Sequence, residues 1–357
     1  MRINPGHAVW IALLLELLLG RAALVWAGVP EGEAVFQARD TFDPSPDAQS
    51  QARAVLEAVA WTPGEFTVRA APGVEHDCDA VIRFPSPRPN GDPSLDEVVL
   101  LWYAARDDDG QAIEAPAVLV VHSLHGKLTP DKAIARMLVQ HGLHAFIVQL
   151  PGYGLRRGPL DRSGYIVTFQ HALQAIADVR RARDAITVLP NVQAGPVAIE
   201  GTSLGGFVAS VVASLDRAFN PVLLALSGAD CYQVLQQGQM DAQRVRERLQ
   251  EFGYVGEKLR ALLEPLEPAN LVHRLDPQRT WVFTAVNDQV VPRASSDALA
   301  AAIGLEPDHR IFLPGDHYTC ALALPQAVGM MARIIREGEL TSQPTPPANQ
   351  AASPTAQ

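Results

Sequence analysis

GPVAIEGTSLGGFVASVVASL, residues 195–215, is the stretch on which the fold turns. Its first part, GPVAIEGTS, is an apolar, β-branched run opened by Gly-Pro, the pattern of a strand buried on both faces. Its last part, GGFVASVVASL, has the small and apolar content of a buried helix. Between them Gly201-Thr202-Ser203-Leu204-Gly205-Gly206 contains a G-x-S-x-G sequence at a strand-to-helix turn. A strained elbow of this kind pushes a serine hydroxyl out at the C-terminal edge of the sheet, and flanking glycines remove Cβ atoms that would clash. The helix N-terminus behind it favours developing negative charge. A phosphate-binding turn is the rival structure for such a sequence, but no lysine follows the glycines as a P-loop requires. Ser203 is therefore the candidate nucleophile. The six residues alone occur by chance, so a base, an acid and an oxyanion site must be found elsewhere.

Outward from the elbow the pattern repeats. AVLVVHS, HAFIVQL, NPVLLALSG, TWVFTAV and HRIFLPG are further strand candidates, and DKAIARMLVQHG and FQHALQAIADVRRARDAITVL are helices. In the second helix Leu173, Ile176, Val179 and Ile186 recur at helical spacing. Alternating buried strands and helices predict an α/β fold with a parallel sheet, helices on both faces and right-handed connections. Before them EFTVRAA, DAVIRFPSP and DEVVLLWYAA suggest a leading antiparallel portion. Residues 28–74 form a lead-in segment, with DTFDPSPDAQSQ as loop and QARAVLEAVAW as a short helix. Residues 231–276 break the alternation with two or three helices and no strand, either a cap over the active face or packing helices.

A serine hydroxyl needs a base to take its proton. In the chain order Ser, acid, His, Asp288 lies just past the strand TWVFTAV, and His317 just past HRIFLPG. Both fall at C-terminal strand ends, the same edge as Ser203. Asp230, at the end of LALSGAD, is the alternative acid; Asp288 has a competing role as a cap of the next helix. Asp316, adjacent to His317, would point elsewhere. For an oxyanion hole the expected backbone donors are Leu204, next after the serine, and Leu124, in the loop that follows AVLVVH. His122 and His125, and His141 and His144, are spaced i, i+3 but lack a third ligand at a recognisable spacing, so no metal site is expected.

Bulk properties narrow the class. The chain has 357 residues, is 48% hydrophobic and carries a formal charge of −10. Nucleic-acid binding, which needs a basic surface, is disfavoured. Residues 1–27 resemble a secretory signal cut after Ala27: a basic start at Arg2, an apolar stretch from Ala8 to Leu19, then Val25-Trp26-Ala27. Removal takes away Arg2, Arg21 and Glu16, a net +1, and leaves the mature chain near −11. The rival is an uncleaved membrane anchor, burdened by Glu16 and Arg21; a buried N-terminal helix is the third possibility. An exported protein is the expectation, with membrane contact if the segment stays. Cys78, Cys231 and Cys320 are no disulfide framework; Cys231 with Cys320 is the first candidate pair, against three unpaired buried thiols. Residues 339–357, rich in Pro, Ala, Gln, Ser and Thr, have the composition of a disordered tail.

AVLVVHSLHG, LPGYG, GTSLGG, VNDQVVP and PGDHYT, in this order, resemble the α/β-hydrolase family, closest to its serine esterase and dienelactone-hydrolase-like branches. The resemblance covers roughly residues 75–336. It implies an α/β-hydrolase fold with a mostly parallel eight-stranded sheet. The core would comprise residues 75–230 and 277–338, with 231–276 as a small helical cap. It also implies no cofactor and hydrolysis of a small-molecule ester or related acyl bond. An exported carboxylesterase follows as the expected activity. A peptidase or acyltransferase on the same triad, or a non-catalytic binding protein on this scaffold, are the alternatives. The oxyanion loop departs from the family's frequent His-Gly: here it is His122-Ser123. In LPGYGLRRG, Tyr153, Arg156 and Arg157 are candidates to line the substrate site or lie on a solvated surface; Tyr318, beside His317, is a further lining candidate.

Overall fold

The computed structural model describes residues 29–30, 32–157 and 169–342. The signal or anchor segment, most of the stretch following LPGYGLRR and the tail from residue 343 lie outside the described residues. Ten strands form one sheet: β1 (Ala34–Arg39), β2 (Glu65–Pro72), β3 (Ala80–Pro85), β4 (Glu97–Tyr103), β5 (Ala117–Val121), β6 (His144–Gln149), β7 (Val197–Thr202), β8 (Phe219–Ala225), β9 (Thr280–Ala285) and β10 (Arg310–Leu313). Their spatial order is β1-β2-β3-β4-β6-β5-β7-β8-β9-β10. From β6 to β10 every pairing is parallel, while β1 to β4 and the β4–β6 junction are antiparallel.

The sheet thus has ten strands rather than the expected eight. Nine of them lie on the stretches singled out from the sequence. The tenth, β1, is AVFQAR, in which Ala38 alone is buried; a solvated edge strand has little apolar alternation by which to be found. In contrast, all residues of β5 and β6 are buried, which is why their sequences are almost continuously apolar.

Helices cover both faces: α1 (Ser50–Val59), α2 (Thr129–Gln140), α3 (Phe169–Ile186), α4 (Leu204–Asp216), α5 (Cys231–Gln237), α6 (Asp241–Glu251), α7 (Gly256–Leu263), α8 (Arg293–Ile303) and α9 (Leu324–Ser342). One core packs Ile176, Val179 and Ile186 of α3 and Val208, Val211 and Val212 of α4 against the sheet. The opposite core packs α2 and α9 on Val118, Val120 and Ile147. α9 runs on to Ser342, so the chain leaves the fold later than residue 339. The insertion after β8 consists of α5, α6 and α7 followed by short 3₁₀ turns, without a strand. Among the described residues no helix is long and apolar enough to cross a membrane.

The lead-in segment is clamped to the fold by buried charge pairs. Asp40 accepts from Arg181 and from the Trp61 indole, and Thr41 donates to Asp184 through both its N–H and its hydroxyl. Asp47 pairs with Arg274 at 2.7 Å. That carboxyl is held at about 2, below its ordinary range, first by the Arg274 hydrogen bond. Trp61 apart, these partners lie more than a hundred residues away in the chain, so no local pattern announces them.

Candidate active site

Four loops at the C-terminal edge of the parallel strands build the site: those after β5, β7, β9 and β10. β7 ends at Thr202 and α4 begins at Leu204, leaving Ser203 alone in the elbow with φ 55° and ψ −118°. A non-glycine residue pays about 1–3 kcal/mol to sit in such a region. Its backbone is fixed on both sides: the Ser203 N–H donates to the Ala225 carbonyl at 2.8 Å, and the Ser203 carbonyl accepts from Gly206 N–H at 2.9 Å.

The glycines meet a packing demand. A Cβ on Gly205 would lie 1.9 Å from the Val121 carbonyl oxygen, and one on Gly206 would lie 2.6 Å from the Ser227 Cβ. The first is a backbone atom at the end of β5 and has little room to yield. Gly205→Ala is therefore expected to cost about 1–3 kcal/mol of stability and to displace the elbow. Urea denaturation checks it; an unchanged midpoint would mean that the strand end moves freely.

The loops after β9 and β10 are laced together. Val286 N–H donates to the Leu313 carbonyl and Asn287 N–H to the Gly315 carbonyl, both at 3.0 Å. This registers Asp288 against His317. Asp288 Oδ1 accepts from the N–H groups of Val290 and Val291, each at 2.9 Å, and its Oδ2 lies 2.7 Å from His317 Nδ1. The carboxylate is an acceptor toward Nδ1, so the proton belongs there and Nε2 is left as an acceptor. His317 Nε2 stands 3.1 Å from Ser203 Oγ. Both side chains are nearly dry, with 7% of the His317 and 2% of the Asp288 side chain exposed. Ser203, His317 and Asp288 are thus brought together.

The other candidates fall differently. Asp230 is not the histidine's partner: it caps α5 by accepting from Gln233 N–H at 3.0 Å and faces solvent. Asp316 accepts from Tyr318 and Thr319 N–H, away from the ring. Leu204 and Leu124 occupy the expected loops, and among the described residues the N–H of neither has an acceptor. Tyr318 is partly exposed, sits edge-on to His317 with centroids 5.5 Å apart, and donates its hydroxyl to Asp241 at the start of α6. Tyr153 is buried against the His122 ring, 4.6 Å between centroids. Arg156 does not line the site: it is fully buried and paired with Asp178 at 2.6 Å. Arg157 is exposed and lies against Gly126. Of the two readings of the cysteines, the unpaired one holds, and Cys231 is not joined to Cys320. All three cysteines are free and buried, with Cys231 against the Leu266 carbonyl and Cys320 against that of His317. Burial pushes the Cys320 thiol up to about 12.

Two acidic residues escaped the sequence reading, Asp131 on α2 and Glu200 on β7, both fully buried near the elbow. Glu200 was visible as a charge within an apolar strand. Asp131 looked like an ordinary first-turn helix acid. Among the described residues no three His, Cys, Asp or Glu side chains converge as a metal site would need. His122 and His144 serve as buried hydrogen-bonding groups; Nδ1 of His144 accepts from the Ala105 N–H.

No family model and no curated protein matches the chain in sequence. Solved structures do match in shape. An acetyl xylan esterase from Paenibacillus sp. R4 aligns over 95% of this chain and 96% of its own, with a TM-score of 0.53 and 13% identity. An alpha/beta hydrolase from Penicillium sp. sh18 aligns over 72% and 98%, with 0.51 and 14%. A 2,6-dihydroxy-pseudo-oxynicotine hydrolase aligns over 71% and 68%, with 0.51 and 14%. At such identities the likeness is one of fold: the chain has the α/β-hydrolase fold.

Proposed function

We propose that this α/β-hydrolase-fold chain is a serine hydrolase that cleaves carboxylic esters through an acyl-enzyme. The observation that carries the proposal is the continuous path from Asp288 through His317 to Ser203, with distances of 2.7 and 3.1 Å. His317 Nε2 takes the Ser203 proton as Oγ attacks the ester carbonyl carbon. Asp288 keeps the imidazole in the required tautomer and offsets the charge it gains. The tetrahedral oxygen is met by the N–H groups of Leu124 and Leu204. Its collapse breaks the bond to the alcohol, which leaves with the proton from His317. Water, deprotonated by the same nitrogen, then attacks the acyl carbon, and the acid departs as Ser203 recovers its proton. Atoms and charge balance without a cofactor.

Ester rather than amide is favoured by analogy of fold, since an acetyl xylan esterase matches over nearly the full length of both chains. We place the mature protein outside the cytoplasm on its N-terminal sequence; sequencing of the mature protein should then begin at Gly28. The test of the activity is a fluorophosphonate probe with peptide mapping of the adduct. One adduct on Ser203 is expected; a folded protein that takes up no probe, or takes it up elsewhere, overturns the proposal.

A further inference from the structure

The loop between β5 and α2 starts beside the elbow, where a Cβ on Gly205 would meet the carbonyl oxygens of Val121 and His122, and its Ser123 is held at three atoms. Its N–H donates to Asp131 Oδ1 at 2.8 Å and its hydroxyl to Asp131 Oδ2 at 3.3 Å. Its carbonyl oxygen lies 2.6 Å from His122 Nδ1. The other ring nitrogen, Nε2, accepts from Leu150 N–H at 3.1 Å, so the proton sits on Nδ1 and donates to that carbonyl. Burial keeps this ring neutral, its pKa lowered to about 4. The Ser123 carbonyl and the Leu124 N–H belong to one planar peptide unit. Fixing residue 123 at its N–H and its C=O therefore sets where the Leu124 N–H points.

We infer that Asp131 is a positioning residue for the oxyanion site, acting through Ser123 to aim the Leu124 N–H at the charge that develops on the substrate. This inference rests on the serine-hydrolase proposal above. Asp131 is an expensive residue to keep where it is. It is fully buried, and among the described residues it makes no ion pair; a dry carboxylate without a cation is costly. Burial pushes it up to about 6, against the opposing Ser123 N–H bond. Close by, Glu200 is buried as well. Its Oε1 accepts from the Thr202 hydroxyl at 2.6 Å, and among the described residues its Oε2 has no partner. Burial first, then the Asp131 charge, raises Glu200 to about 8. Burial thus raises both carboxyls, and Glu200 more than Asp131, so Glu200 is the first of the two to take up a proton as the pH falls. An apolar pair at 123 and 131 would fill the same space without that cost, but it would leave the loop amide unaimed.

The test compares Asp131→Ala, Asp131→Asn and Ser123→Ala by steady-state ester hydrolysis, melting temperature and inhibition by phenylboronic acid. The boronate forms a tetrahedral adduct on Ser203 with an oxygen in the oxyanion site. Asp131→Ala should lose about 10–100-fold in kcat with KM nearly unchanged, and boronate affinity should fall in parallel. Asp131→Asn keeps an oxygen for the Ser123 N–H and should recover to within about threefold of wild type. A folded Asp131→Ala with unchanged kcat, a change in KM alone, or an Asn variant no better than Ala overturns the role of Asp131. Should Asp131→Ala fail to fold, Ser123→Ala decides: a loss of about threefold to tenfold in kcat at constant KM supports the role, and none overturns it. A wild type that neither turns over esters nor takes up the fluorophosphonate overturns the hydrolase proposal itself, and this inference with it. Wild-type activity with unaffected variants removes the role of Asp131 alone.

Discussion

Replacing Ser203 with alanine is expected to lower ester hydrolysis by about 10⁴–10⁶-fold, and Asp288→Asn by about 10³–10⁴-fold, while Asp230→Asn stays within about twofold. The three values follow from different atoms. Under the proposed mechanism alanine removes the nucleophile and leaves binding and the loop amides in place. Asparagine at 288 can still accept from Val290 and Val291, which keeps the loop folded. Its amide, however, offers an N–H to His317 Nδ1 where the carboxylate oxygen stood at 2.7 Å. The ring must then carry its proton on Nε2, and that nitrogen no longer accepts from Ser203. Asp230→Asn exchanges one helix cap for another. Measurement of kcat/KM with a p-nitrophenyl ester decides. A large loss in the Asp230 variant, or an Asp288 variant near wild type, would move the acid back one strand and overturn the assignment.

That choice of acid shows what the sequence could and could not carry. Ser203, Asp288 and His317 each follow an apolar strand, and the alternation of strands with helices puts those ends on one edge. The elbow and the order of its partners are local patterns. Asp230 also follows a strand, β8, so position alone kept it in contention. What separates the two is the lacing of the β9 and β10 loops by Val286 and Asn287, a tertiary contact without a sequence signature. The same holds for the lead-in segment, whose Asp40, Thr41 and Asp47 find partners on α3 and near residue 274. It also holds for β1, which is too exposed to advertise itself. Asp131 belongs here too: its neighbours along the chain mark a helix start, and only the fold delivers Ser123 to it.

Arg156 and Arg157 are the plainest case, because adjacent identical side chains met opposite fates. Arg157 is exposed at the surface, whereas Arg156 is fully buried and donates to the carbonyls of Gln149 and Leu95 and to Asp178. Asp178 in turn accepts from the Ser86 hydroxyl. Burial raises the Asp178 carboxyl, opposed first by the charge of Arg156. The pair cannot be opened from one side cheaply. Asp178→Ala leaves a guanidinium in a dry cavity and is expected to cost about 3–5 kcal/mol. The double variant Arg156→Met, Asp178→Leu removes both charges and keeps the volume, and it should fall within about 2 kcal/mol of wild type or exceed it. Equilibrium urea denaturation of wild type, both single variants and the double variant closes the cycle. A single variant that costs less than about 1 kcal/mol would mean that water reaches the pair and that its charges are already screened. The activity of the double variant carries a second consequence. Arg156 holds the turn that bears Tyr153, whose ring packs on His122, and His122 fixes the Ser123 carbonyl. If shape alone supports that turn, the double variant keeps its kcat. If the hydrogen bonds from Arg156 to Gln149 and Leu95 are what hold it, kcat falls while stability does not, and the cost of the buried pair is borne for the geometry of the site.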